Sequence, residues 1–107
     1  MGFVDVAPIA AGACIGKSLT SIGTTAVEVI VGTTKLAGRR GVYIKSTSTV
    51  VLSWGFSDST CVFPLSKEAV AADGTGGEIW IDVGDAQAIF IKAASGSSNT
   101  AAIGELK

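Results

Sequence analysis

The sequence contains no histidine. Histidine is the side chain that titrates nearest neutral pH and the commonest transition-metal ligand. Its absence removes the usual general base and makes the Ser-His-Asp arrangement impossible. Charge is also scarce. Asp, Glu, Lys and Arg make up 16% of the 107 residues, against about 25% in an average soluble protein. Eight basic and nine acidic residues leave a net charge of −1, so no basic excess exists to attract a phosphate backbone, and nucleic acid is not an expected partner. Aromatic residues are few as well: four Phe, two Trp and one Tyr. The core must therefore come mainly from β-branched side chains. Low charge has two readings, a small β domain rich in Ser and Thr or a surface that faces other protein.

Cys14 and Cys61 are the only cysteines, and they form no closely spaced metal-type pair. Both are expected as free thiols, with Cys61 acting as a small buried hydrophobe. The N-terminus is apolar but lacks a positively charged start, and Asp5 and Pro8 interrupt it. It reads neither as a signal peptide nor as a membrane span. No membrane partner is expected, and synthesis in a cytoplasm is the default.

What the chain does have is glycine and alternation. Its length suits one domain, and its 14 glycines fit frequent turns. Residues 1–23 carry Phe3, Val4, Val6 and Ile9 among Pro8, Gly12, Gly16 and Gly23, with no sustained period. They read as an extended arm that packs on its own domain or on a neighbour. From Thr24 onward the period is two, and residues 24–107 read as the domain proper. Val27, Val29 and Val31 share a face. In 41–46, Val42 and Ile44 oppose Tyr43 and Lys45. A Ser/Thr turn leads into 49–55, and the pair reads as a hairpin. Pro64 confines the next run, Cys61-Val62-Phe63, to a sheet edge or ends it. Residues 66–76 form a long loop. Ile79, Ile81 and Val83 oppose Glu78, Trp80 and Asp82. Ile89 and Ile91 point inward in the following run, and Ala101 and Ile103 share a face in the last. About seven strands separated by turn signals predict an all-β fold, an antiparallel, jelly-roll-like β-sandwich with an extended N-terminal arm.

No motif carries catalysis. Gly74-Thr75-Gly76-Gly77 lacks the Gly-Lys-Ser/Thr ending of a phosphate loop. Gly12 to Ser18 has that ending, but its first glycine stands one residue too close. Asp58, Asp73, Asp82 and Asp85 sit in or beside turns, where acids bond to the backbone. Neither a metal site nor a cofactor site is expected, and the protein is not expected to be an enzyme. The candidate surface residues are aromatic and basic. Trp80 lies opposite the inward Ile79 and Ile81, so it faces outward, where it anchors an interface or shields an edge. Phe90 joins it if the two strands pair, and Tyr43 extends the patch. Trp54, Trp80 and Tyr43 together also suggest a stacking platform for carbohydrate. Arg39 and Arg40 precede a strand, either as solvated charges, as ion pairs to a partner, or as a clamp on an adjacent loop. One of them is expected to be structural.

Residues 24–106 resemble the small β-sandwich virion structural proteins of tailed bacteriophages. The matching positions are Val27 and Val29; Leu36, Ala37, Arg39, Val42, Ile44, Ser46 and Ser48; Val50, Leu52 and Gly55; Pro64 and Leu65; Ile79, Ile81, Val83 and Ile89; and Glu105-Leu106. Two departures stand out. Ser46 occupies a position where Asn is usual, and the long loop 66–77 replaces a tight Gly-Glu turn. The resemblance implies a capsid decoration, or cement, protein that binds the outer shell of the virion. Its partners would be the major capsid protein and copies of itself, as a homotrimer. The interaction residues expected on this reading are Phe3, Val4, Ile9, Arg39, Arg40, Tyr43, Trp54, Trp80 and Phe90. A tail, neck or fibre-associated adaptor, or a carbohydrate-binding β module, are the alternatives.

Overall fold

The computed structural model describes residues 14–107. Eight strands form two four-stranded antiparallel sheets: β1 (Cys14–Ile22), β2 (Val27–Glu28), β3 (Gly41–Ser46), β4 (Leu52–Gly55), β5 (Phe63–Leu65), β6 (Glu78–Asp82), β7 (Phe90–Ala93) and β8 (Asn99–Leu106). One sheet has the order β1-β8-β3-β6 and the other β2-β7-β4-β5. The chain changes sheet at every connection except β4–β5. That wrapping of eight strands into two facing sheets is a jelly roll.

The alternation read in the sequence sets which side chains meet between the sheets. Val42, Ile44, Ile81, Ala101 and Ile103 line the inner face of the first sheet, and Leu52, Trp54, Leu65, Ile91 and Ala93 that of the second. Ile22, Val29 and Ile89 complete the core.

Three expectations are corrected. The strands at 41–46 and 49–55 do not form a hairpin, because β3 and β4 belong to different sheets. Val42 and Ile44 meet Leu52 and Trp54 within one core instead of lying beside them in one sheet. Two buried serines turn the crossing chain: Ser46 Oγ accepts from Ser48 N at 3.3 Å, and Ser48 Oγ accepts from Val50 N at 3.0 Å. In a dry environment those side chains supply acceptors the ladder no longer offers. Second, β6 and β7 do not pair, and the 83–89 connection also changes sheet. Third, the arm expected over 1–23 does not begin the fold as a whole. Its Cys14–Ile22 part is β1, paired with β8 from Cys14↔Leu106 to Ile22↔Asn99 with an irregularity after Leu19. This is the strand beyond the seven expected. Phe3, Val4 and Ile9 lie outside the described residues.

Pro64 sits in β5, an edge strand, as its missing N–H requires. The strand expected from Thr24 shortens to Val27–Glu28, prolonged by a hydrogen bond from Val29 N to Ile89 O of 2.8 Å.

Candidate functional site

The loops at one end of the sandwich are tied together by a buried ion pair. Arg39 and Glu105 are each 2% exposed, and Arg39 Nη1 lies 2.9 Å from Glu105 Oε2. Glu105 also accepts from Val31 N at 3.0 Å and Leu36 N at 3.1 Å. Arg39 donates to Gly84 O from Nε (3.3 Å) and Nη2 (3.0 Å), and to Gln87 O. The pair therefore locks the 30–40 segment and the 84–87 turn onto β8. Of the two arginines, Arg39 is the structural one, its guanidinium spent on Glu105, Gly84 O and Gln87 O. Arg40 is exposed and engaged through its backbone, its N–H donating to Leu106 O at 2.7 Å and its carbonyl accepting from Val83 N at 3.2 Å.

Tyr43 and Trp80 are brought together on the outer face of the first sheet. They are register partners on β3 and β6, with ring centroids 6.0 Å apart. The Tyr43 hydroxyl donates to Glu78, and this hydrogen bond, with burial and the carboxylate charge, holds the phenol above its ordinary pKa. Beside them Lys45 Nζ donates to Gly74 O (3.2 Å) and Gly76 O (3.0 Å), fixing the 66–77 loop to the sheet rim. Trp80 has two roles. A Cβ on Gly41 would stand 3.0–3.3 Å from the indole, so the ring lies over that glycine's backbone. The rest of it is open, for Trp80 is 49% exposed.

The other expected aromatics are not part of this face. Trp54 is 8% exposed and belongs to the core. Phe90 lies on β7 in the second sheet, half-buried, opposite Glu28 and Gly55. A three-ring platform of Trp54, Trp80 and Tyr43 is thus not assembled.

A second aromatic group went unread in the sequence. Trp54 stacks at 4.8 Å on Phe63 and meets Phe56 edge-on at 5.4 Å, while Phe56 and Phe63 are 6.1 Å apart. Phe56 is 46% and Phe63 43% exposed. Phe63 is the register partner of Trp54, so these rings continue the core outward at one end of the sandwich. The signal was present: Leu52, Trp54 and Phe56 share one parity. Glu105 was equally legible, since Ala101, Ile103 and Glu105 share the inward parity of β8. Glu68 carried no such signal. It is buried in the 66–77 loop, accepting from Ala72 N and Gly74 N at 2.9 Å each.

Among the described residues no group of three His, Cys, Asp or Glu could hold a metal ion. Cys14 is exposed and Cys61 buried, both as free thiols, and burial pushes the Cys61 thiol up. A cleft of about 160 Å³ is lined by Thr47, Ser48, Thr49, Ala71, Ser98, Asn99 and Thr100. Its polar groups are largely spent on one another: Thr47 with Thr100 at 2.6 Å, Ser48 with Asn99 at 2.9 Å, and Asn99 with Ile22 O and Ser95 O. Among the described residues no helix is long and apolar enough to cross a membrane.

The fold thus defines the class as an eight-stranded jelly-roll sandwich. No protein-family model matches the chain, and no curated protein matches its sequence.

Proposed function

We propose that the protein is a non-enzymatic virion structural protein, a capsid decoration protein that binds the outer shell of a tailed phage and clamps neighbouring capsid subunits. The observation that carries this reading is the Tyr43–Trp80 pair, half-open on a sheet whose loops are locked by buried ion pairing. Trp and Tyr are the residues that most often dominate binding energy when a rigid surface closes over them. The jelly roll supports the reading by analogy of fold, because capsid proteins use it, and so do lectins. The sequence resemblance across residues 24–106 favours the capsid side of that analogy.

On this reading the protein is made in the bacterial cytoplasm and ends on the capsid surface. Its partners are the major capsid protein and two further copies of itself. It works by burying surface across joints between capsomers. Binding only the assembled lattice stabilises that lattice by mass action, and linked copies gain by multivalency. No nucleic acid, membrane or cofactor enters the mechanism.

The test is cryo-electron microscopy of expanded empty shells from the phage that encodes the protein, with and without added protein. Density at every local threefold position is expected, and Trp80→Ala should weaken shell binding at least about tenfold. Density confined to one vertex or to the tail would replace this reading with the tail or neck adaptor. Glycan binding that disappears in Trp80→Ala would replace it with a carbohydrate-binding module.

A further inference from the structure

The strand register arranges the outer face of the first sheet in rows. Gly16, Gly104, Tyr43 and Trp80 lie side by side across its middle. Lys45 and Glu78 form the row on one side, and Gly41 and Asp82 close the row on the other. Alternate residues of a strand share a face, so Glu78, Trp80 and Asp82 all stand on the outside of β6, each about 7 Å from the next. Trp80 presents a single open π-face. Its indole lies over the backbone of Gly41, where a Cβ would meet it at 3.0–3.3 Å, and half of the residue is open. Exposed carboxylates flank that ring on both sides. Lys45, the register partner of Glu78, directs its Nζ to Gly74 O and Gly76 O and so leaves the carboxylates to set the charge around the ring. Glu78 is fixed in place by the Tyr43 hydroxyl that donates to it. A carboxylate has about four acceptor sites, so it retains capacity for another donor.

We infer that this face takes an arginine side chain of a partner protein, its guanidinium stacked on the open face of Trp80 between the carboxylates of Glu78 and Asp82. The inference rests on the reading of this face as a protein contact surface and adds the chemistry of the partner. Charge complementarity selects a cation. The face of an aromatic ring is the negative part of its quadrupole, and indole attracts a cation better than the other rings do. The carboxylates on either side act in the same direction. Geometry selects arginine over lysine. A guanidinium is flat, so it stacks on the indole while its N–H groups point sideways in the plane, toward the carboxylates. A lysine ammonium is a compact, strongly hydrated point charge that cannot stack. The glycines give the partner room. Gly16 and Gly104 carry no side chain beside the two rings, and glycine in a strand lets another backbone approach closely.

The full-length chain tests this with N-acetylarginine methylamide as the probe, at constant ionic strength. The control is the citrulline analogue, which has nearly the same shape and no charge. The readout is the indole N–H signal of Trp80 in a proton–nitrogen correlation spectrum. Trp54, the other tryptophan, is in the core and serves as an internal reference. The arginine probe should shift the Trp80 signal to saturation and leave Trp54 unmoved, and the citrulline probe should shift neither. Glu78→Gln with Asp82→Asn should weaken arginine binding at least about threefold. Fluorinated tryptophan placed at position 80 keeps the shape of the ring and drains its π-face, and should weaken binding at least about twofold. The lysine counterpart of the probe should bind more weakly than arginine. No saturating shift of Trp80, an equal shift with citrulline, or binding indifferent to both the neutral pair and fluorination overturns the inference. Lysine binding as tightly as arginine overturns the choice of guanidinium. The outcome is separable from that of the capsid reading. Shells that bind the protein while Trp80 ignores arginine overturn only this inference, and an arginine response without shell binding overturns only the capsid reading.

Discussion

Glu105 is tolerated in a dry interior because three donors converge on its carboxylate: Val31 N, Leu36 N and Arg39 Nη1. An ion pair removed from water pays a large desolvation cost, so losing one partner is far worse than losing both. Arg39→Ala should therefore destabilise the protein by about 3–5 kcal/mol, read as a lowered urea midpoint. Arg39→Met with Glu105→Leu should recover only part of that loss. Isolated buried pairs can often be replaced by apolar residues, but here the Val31 and Leu36 N–H groups would remain without their acceptor. Full recovery would mean that those backbone groups find water. Tyr43, the only tyrosine, gives a second residue-scale prediction. Its pKa is raised by the hydrogen bond to Glu78, so the folded state holds the phenolic proton more tightly than the unfolded chain. The stabilisation is complete below the ordinary tyrosine pKa and is lost as pH rises through the folded-state value. Tyrosinate absorbance should titrate above the ordinary value, and Glu78→Gln should bring it back down. A titration unaffected by Glu78→Gln would show that the hydrogen bond is not the cause.

At the scale of elements, the faces of the strands were legible and their neighbours were not. Parity assigned Val42, Ile44, Ile79, Ile81, Ile89, Ile91, Ala101 and Ile103 to the inside correctly. Parity does not say whether 41–46 and 49–55 lie side by side or face to face, because backbone hydrogen bonds are nearly indifferent to side-chain identity. The proximity of the two strands suggested a hairpin, and the crossing through Ser46 and Ser48 won. The 66–77 loop shows the same limit. It was read only as a long loop, yet Gly76 is packed so closely that a Cβ would stand 1.9 Å from Ser46 O. Gly76→Ala should cost about 1–3 kcal/mol through forced backbone movement. Gly32→Ala, where the nearest atom is 3.9 Å away, should be close to neutral. Thermal melts of the two variants compare them directly, and equal midpoints would mean that the loop yields freely.

At the scale of the molecule, the two ends of the sandwich sequence meet. β1 covers β8, and Ile22 at the end of β1 is fully buried. A boundary at residue 24, natural on composition, would cut through this pairing. A chain of residues 24–107 should expose the edge of β8 and one wall of the core, and an uncovered edge recruits other chains. It should elute as aggregate by size exclusion, where the full chain elutes as a discrete species. A monodisperse, folded 24–107 fragment would show β1 to be dispensable. Pairing of strands distant in sequence also makes folding slow for the chain's size.

The sequence by itself determined the class of fold, the inward face of most strands, the edge position of Pro64, and the outward face of Tyr43 and Trp80. Those follow from local stereochemistry: alternate side chains on a strand point to opposite sides, and proline lacks a donor. Only the tertiary structure decided that Tyr43 and Trp80 are partners, that Trp54 is core, that Phe90 is in the other sheet, and that Arg39 and Glu105 find each other 66 residues apart. Those depend on which strand lies beside which, and that is fixed by closure of one core from both sheets rather than by any residue's own preference.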